Sequence, residues 1–186
     1  YVIAELKKVT TNTDLLLQNL LSWARSQTEG IQVNLQEINL SIIVNSVCSL
    51  FEGQAKNKGI SLEQEVPATL ITIADENMLH TVLRNLISNA IKFSHPNQPI
   101  EISAEEQQDE ILIMVSDRGV GIDTEHINKL FDIGSAFTTS GTQEEAGTGL
   151  GLKLSNELIK RNRGHMWVSS NPGKGSVFYI KLPAKL

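Results

Sequence analysis

Three glycines at alternate positions precede a predicted amphipathic helix in the segment EEAGTGLGLKLS (residues 144–155). They are Gly147, Gly149 and Gly151, and the helical pattern begins at Leu150. Backbone without side chains lets a phosphate approach the N–H groups at the positively polarised N-terminus of a helix. A flexible loop that uses glycine for tight turning is the alternative for this segment taken alone. Other parts of the sequence are needed to choose between an anion-binding site and a plain turn.

A second candidate site lies in a predicted helix with the sequence RNLISNAIKF (residues 84–93). Asn85, Asn89 and Lys92 are spaced by four and three residues, so one helix face presents two amides and an ammonium. A solvated surface face would show the same pattern. The spacing therefore indicates a polar helix face without assigning its chemistry.

An aspartate followed by two glycines forms the third candidate. In SDRGVGID, Asp117 ends an apolar strand pattern, and Gly119 and Gly121 follow it. The same combination is a common turn signal. The sequence contains neither of the standard nucleotide-binding motifs. GTGLGL does not have the glycine spacing of the dinucleotide-binding fingerprint, and in GKGS (residues 173–176) the lysine is followed by glycine where the P-loop has serine or threonine.

Composition limits the classes of function. The chain has 186 residues, of which 40% are hydrophobic, so it can form one domain with an appendage. The formal charge of −5 argues against a nucleic-acid partner, which usually needs a basic face. No segment approaches the roughly 18 apolar residues of a membrane span, and a single cysteine, Cys48, is typical of a reducing compartment. We expect a cytoplasmic location, and the start at Tyr1 indicates a piece of a longer protein.

The elements that would hold these segments mix helices and strands without regular alternation, which predicts an α+β fold with helices on one face of a sheet. Ser41 and Asp75 are predicted to cap two helices. Residues 132–148 form a long loop, which is usually a lid, a binding loop or a disordered segment, and we interpret it as a mobile cover beside the anion site. The predicted helices span 1–29, 41–58, 75–94, 124–130 and 149–163. The predicted strands span 31–38, 60–66, 69–74, 99–107, 110–117, 165–170 and 176–183.

The first predicted helix has no core of its own. Its apolar stripe must therefore pack on another helix in a bundle or coiled coil. The stripe consists of Ile3, Leu6, Leu17, Leu20 and Ala24.

Five segments occur in a fixed order: NLISNAIKF, DRGVGI, a long loop with Phe131 and Phe137, GTGLGL, and GKGSVF. They resemble the N, G1, F, G2 and G3 boxes of the ATP-binding domain of sensor histidine kinases, in the gyrase–Hsp90–histidine kinase–MutL superfamily. The resemblance covers roughly residues 35–185. The resemblance favours an anion-binding site over a plain turn for residues 144–155.

This resemblance implies a two-layer α/β sandwich of the Bergerat type, preceded by a long bundle helix. Residues 1–30 would be the second helix of the dimerisation and phosphoacceptor domain, and residues 31–186 the catalytic ATP-binding domain. The implied activity is that of a protein-histidine kinase in two-component signal transduction, with ATP and Mg²⁺ as cofactors. The implied partners are a phosphoacceptor helix of the same or the partner protomer in a homodimer, and a response-regulator receiver domain.

The resemblance also assigns roles to residues. Asp117 would accept a hydrogen bond from the adenine amino group, with Gly119 and Gly121 beside the base. Asn89 would hold Mg²⁺ through its amide oxygen, and Asn85 and Lys92 would lie near the phosphates. The phosphates would lie against Gly147, Thr148, Gly149, Leu150 and Gly151. Ser176 would either assist Asp117 through water or serve as a turn residue.

Asn85 stands where the superfamily's ATPases carry a water-activating glutamate, and an amide cannot act as a base. Asn85 therefore favours the kinases of the superfamily over its ATPases. The long loop departs from the family pattern, because its phenylalanines are six residues apart where many members space them by three. None of the four histidines lies in the family's acceptor context, so the acceptor helix is expected outside this chain. They are His80, His95, His126 and His165. A gyrase- or MutL-type ATPase and a non-catalytic nucleotide-binding or interaction module remain as alternatives.

Overall fold

The computed structural model of the protein describes residues 32–132, 139, 141–143, 145 and 149–185. The predicted first helix, most of the predicted loop at 132–148, and the residues Phe137, Gly147 and Thr148 lie outside this description. The elements below belong to a unit that begins at Val33.

Seven strands and four helices lie in the described part of the chain. The strands are β1 (Gln36–Asn39), β2 (Leu62–Glu65), β3 (Ile71–Ala74), β4 (Ile100–Gln107), β5 (Glu110–Asp117), β6 (His165–Ser170) and β7 (Ser176–Pro183). The helices are α1 (Leu40–Asn57), α2 (Glu76–Phe93), α3 (Thr124–Ile127) and α4 (Gly151–Arg161). None of these helices is both long and apolar enough to cross a membrane.

A five-stranded mixed sheet forms one layer of the fold. Its strand order is β2-β4-β5-β7-β6, with β2 parallel to β4 and the other neighbours antiparallel. Alternate residues of β5 and β7 are buried, as expected when helices cover one face of a sheet. The α+β class with helices on a mixed sheet is thereby confirmed. A separate antiparallel pair, β1 with β3, was not predicted as a sheet.

Helix α2 is the centre of the helical layer. It packs on α1, α4 and β5, and it buries eight hydrophobic side chains between them. Asp75 caps its N-terminus by accepting from the backbone N–H of Met78 at 3.0 Å, as the sequence predicts. The polar face with Asn85, Asn89 and Lys92 is half-buried, so it is not a simple solvated surface.

The cap of α1 differs from the prediction. Asn39, not Ser41, is the N-cap residue, and its side chain accepts from the N–H groups of Ser41 and Ile42. Both residue types cap helices well, so the local sequence could not choose between them. Asn39 is the residue whose extended backbone ends β1, and that pairing with β3 sets where the helix begins.

Candidate functional site

Asp117 ends β5 on the side of the sheet that the helices cover. Its side chain is buried, and Oδ1 accepts from the backbone N–H of Gly119 at 2.9 Å. Burial raises the pKa of Asp117 to about 6, although hydrogen bonds from Gly119 and Ser176 and the electrostatic interaction with His95 oppose the rise. A buried carboxylate with so large a shift is typical of a functional site.

Ser176 is a direct neighbour of Asp117. The two residues face each other across the β5–β7 pair, and Ser176 hydrogen-bonds the carboxylate. Its Oγ lies 3.0 Å from the Oγ of Ser170. The sequence allowed either a water-mediated contact of Ser176 with Asp117 or a role as a turn residue. In the structure Ser176 contacts Asp117 directly.

A short bridge joins Asp117 to the C-terminal end of α2. Ser94, just after the helix, pairs with Gly119, and the N–H of Val120 donates to the carbonyl of Phe93 at 3.2 Å. A Cβ on Gly119 would collide with the same carbonyl. Glycine at this position therefore lets the segment after β5 approach the helix end closely.

Gly121 adopts a left-handed backbone with φ of 68°, which glycine tolerates best. A Cβ there would collide with the carbonyl of Asn171, in the turn between β6 and β7. The N–H of Gly173 in that turn donates to the carbonyl of Val120 at 2.7 Å. Gly121 thus admits this turn, and its proximity to a bound base stays a prediction.

The polar face of α2 meets the N-terminus of α4. The amide nitrogen of Asn85 donates to the Oγ of Ser155 at 2.9 Å, and a Cβ on Gly151 would collide with the Asn85 amide. Gly149 has a left-handed φ of 70°, and Leu150 at the N-cap gives α4 no side-chain cap. The packing explains why residue 151 is glycine, and the helix N-terminus favours negative charge beside Asn85.

Lys92 extends this face toward the predicted loop. Its Nζ donates to the carbonyl of Thr139 at 3.2 Å and lies 4.5 Å from the centre of the Phe93 ring. Burial lowers the pKa of Lys92, while the carboxylate of Glu145 opposes the shift. An ammonium at this place can attract phosphate oxygens.

A cavity of about 310 Å³ has Asp117 and Ser176 in its lining but extends away from the two helices of the predicted site. Its lining comes from β4, β5, β6, β7 and the segments beside them, and includes Glu101, Arg118 and Lys174. Neither α2 nor α4 contributes a residue to it. The predicted phosphate-binding residues therefore lie elsewhere.

The structure thus brings together most of the predicted site. Asp117 adjoins the end of α2 through Gly119, and Asn85 on α2 adjoins Gly151 on α4. Gly147 and Thr148 lie outside the described residues. Sequence reasoning missed the contact of Ser155 with Asn85, for which a polar residue within the apolar pattern of α4 was an available signal.

The protein-family model described as histidine kinase-, DNA gyrase B- and HSP90-like ATPase matches residues 74–186. The chain belongs to this family. Every predicted site residue falls within the matched range. The site described above is therefore part of a family ATP-binding domain.

Relatives of this chain include a sensor protein and a histidine kinase. Sensor protein SrrB of Staphylococcus aureus (strain MRSA252) is 31% identical over 168 residues, which cover 90% of this chain and 29% of SrrB. The catalytic domain of histidine kinase ThkA is 31% identical, with a TM-score of 0.70 over 81% of this chain and 96% of that one. These matches confirm the predicted kinase-type catalytic ATP-binding domain. The chain spans less than a third of SrrB.

Two structures of relatives contain bound molecules. ShkA in complex with AMPPNP is 26% identical, with a TM-score of 0.76 over 90% of this chain and 35% of ShkA. ThkA in complex with response regulator protein TrrA is 26% identical, with a TM-score of 0.75 over 95% of this chain and 50% of ThkA.

Proposed function

We propose that this chain is the catalytic part of a protein-histidine kinase. It binds ATP between α2 and α4 and directs the γ-phosphoryl group to a histidine other than the four in this chain. The observation that carries the proposal is Asp117, a buried carboxylate joined by a backbone bridge to the helix that bears Asn85, Asn89 and Lys92.

Asp117 would select the base. A buried carboxylate accepts a hydrogen bond from the exocyclic amine of adenine, whereas guanine carries a carbonyl at that position. A hydrogen bond to a charged group contributes about 1.5–3 kcal/mol, and an unpaired buried carboxylate loses that contribution. We therefore expect selectivity for ATP over GTP.

The phosphates would occupy the N-terminal end of α4. The left-handed Gly149 at the start of α4 supports close approach of an anion to this helix end. Lys92 would supply charge by exchanging the carbonyl of Thr139 for a phosphate oxygen. Gly147 and Thr148 would complete the phosphate-binding segment.

The available ligands fit Mg²⁺. The described residues contain no group of three or more His, Cys, Asp or Glu side chains that would form an all-protein metal site. Mg²⁺ commonly retains water and substrate phosphates and needs few protein ligands, so the amide oxygen of the half-buried Asn89 suits it. When bound, Mg²⁺ would neutralise phosphate charge.

Asn85 explains why the site would transfer the phosphoryl group and hydrolyse ATP slowly. An amide supplies no base for water, and Asn85 already donates to Ser155. The acceptor would lie on a dimerisation helix of the same or the partner protomer. By analogy with the ThkA–TrrA complex, a response-regulator receiver domain would be the downstream partner. A cytoplasmic location follows from this proposal, because the substrate is ATP.

Calorimetry with the variant Asp117→Asn tests the proposal. Wild-type protein with Mg²⁺ should bind ATP and not GTP, and the variant should bind ATP about 10- to 100-fold more weakly because the charge-assisted bond is lost. Asp109→Asn, at an exposed aspartate in the β4–β5 turn, is the matched control and should bind normally. Equal ATP affinity in wild type and Asp117→Asn would contradict the assigned base site.

A further inference from the structure

Lys58 is a buried lysine outside the site described so far. It follows α1, where the N–H of Gly59 donates to the Lys56 carbonyl and that of Ile60 to the Ala55 carbonyl, a Schellman arrangement. The Lys58 side chain is only 4% exposed. This helix end therefore directs an ammonium into the protein.

Three acceptors surround that ammonium. Nζ donates to the carbonyls of Ile91 and Lys92 at 2.8 Å each and to Oε1 of Glu145 at 3.1 Å. An ammonium has three N–H groups, so these contacts satisfy it completely. Lys58 thus caps the C-terminal end of α2 and holds a carboxylate that follows it by 87 residues.

Glu145 closes a small turn, here called the Thr142 turn (residues 141–143 together with Glu145). Its Oε2 accepts from the N–H of Gln143 at 2.8 Å, and its carbonyl accepts from that of Gly141 at 2.9 Å. Burial alone would raise the pKa of Glu145, but the backbone N–H groups of Gln143 and of Glu145 itself, together with Lys58, hold it below its usual value. Glu145 is therefore ionised at neutral pH.

The Thr142 turn is fastened to the same helix end by a second set of bonds. The N–H of Thr142 donates to the Lys92 carbonyl at 3.1 Å, and its Oγ1 donates to the carbonyl of Ser94 at 2.9 Å. A Cβ on Gly141 would collide with Glu145 and crowd Cγ of Lys92. The turn consequently contacts Lys92 in both backbone and side chain.

This location connects the ion pair to phosphate binding. Lys92 is a proposed phosphate ligand, and both Lys58 and the Thr142 turn bind the backbone carbonyl of Lys92. We infer that Lys58 and Glu145 are positioning residues that hold Lys92 for the phosphates of the nucleotide. The inference rests on the proposed function.

Comparing ATP with adenosine in the variant Glu145→Ala tests this inference. Loss of the ion pair should weaken ATP binding about three- to tenfold, the effect of one net hydrogen bond or ion pair. Adenosine affinity should not change, because adenosine lacks phosphates and its proposed partner Asp117 does not contact Glu145. Glu145→Gln, which keeps an acceptor for Lys58, should restore most of the ATP affinity.

Glu110→Ala is the matched control. Glu110 pairs with Lys181 at 2.9 Å at the opposite end of β5 from Asp117, so its loss should affect neither ligand. If Glu145 had a purely structural role, Glu145→Ala would weaken the binding of ATP and of adenosine equally. That result, or an unchanged ATP affinity in Glu145→Ala, would overturn this inference and leave the proposed function intact. Absence of ATP binding in the wild type would overturn the proposed function together with it.

Discussion

At the scale of single residues, burial of Asp117 in the folded protein disfavours the ionised form of its carboxyl group. Its pKa rises from 3.8 to about 6 on folding, so the folded state binds a proton more tightly than the unfolded chain. The stabilising contribution of this group is therefore complete below about pH 4 and is lost as the pH rises through about 6. Above that pH the buried charge costs on the order of 3 kcal/mol. A ligand that donates to the carboxylate would recover part of this cost.

The same shift predicts a pH dependence of binding. Adenosine affinity should be constant above about pH 7 and should fall roughly tenfold per pH unit below about pH 6, because the protonated carboxyl is a poorer acceptor. Adenosine is the better probe than ATP, since it has no phosphates that titrate in this range. Calorimetry at a series of pH values measures the effect.

The control for this dependence is Asp117→Asn, whose weak adenosine binding should not change across the same range. A wild-type affinity that stays constant down to about pH 5 would show that the carboxylate does not contact the base.

At the scale of elements, the site depends on how closely α2 approaches β5 and α4. Gly119 and Gly151 are the two contact points, and at each a Cβ would meet an atom of α2, the carbonyl of Phe93 and the amide of Asn85. The carbonyl belongs to the backbone and cannot move alone. The glycines that resemble a phosphate-binding signature therefore also serve the packing of the elements.

This packing predicts opposite effects for two glycine-to-alanine changes. Gly119→Ala should destabilise the protein by about 1–3 kcal/mol, because the helix end or the segment after β5 must shift. Gly53→Ala should stabilise it by about 0.5–1 kcal/mol, because Gly53 lies within α1 with open space around its Cβ position. Denaturant unfolding of both variants measures the difference, and equal stabilities would mean that the Gly119 contact is not tight in solution.

At the scale of the whole molecule, we expect the acceptor of the proposed reaction to lie outside this chain. In-line transfer needs an acceptor held within about 3–3.5 Å of the γ-phosphate. His165 stacks on Trp167, and His126 lies 3.8 Å from Asp123 at the start of α3. His95 lies near Asp117, at the proposed adenine end of the site.

We therefore expect the 186-residue chain to bind ATP without phosphorylating itself or hydrolysing ATP quickly. A chain extended by a histidine-bearing dimerisation helix should become labelled on that histidine alone. Incubation with γ-labelled ATP followed by mass spectrometry checks both outcomes. Stable phosphohistidine at any of the four histidines of the shorter chain would contradict the assigned roles, and rapid ATP hydrolysis would favour a gyrase-type ATPase.

Much of the fold was determined by local sequence patterns. The hairpin of β4 and β5, the closing pair β6 and β7, and the helix after Asp75 all lie within a few residues of their predicted bounds. Strand alternation, helical spacing and end caps are properties of neighbouring residues, and a sequence carries them directly. The order of the five boxes likewise identified the family from the sequence alone.

The sequence alone could not decide the contacts that join distant segments. Lys58 sits at a helix end, where lysine is normally solvated, and only its three acceptors, on residues 33 to 87 positions away, make its burial favourable. Gly151 was predicted to admit phosphate, and only the packing of α4 on α2 showed that it also makes room for Asn85. Tertiary structure decided these features because burial and hydrogen-bond pairing depend on which elements meet, and local periodicity holds no information about that.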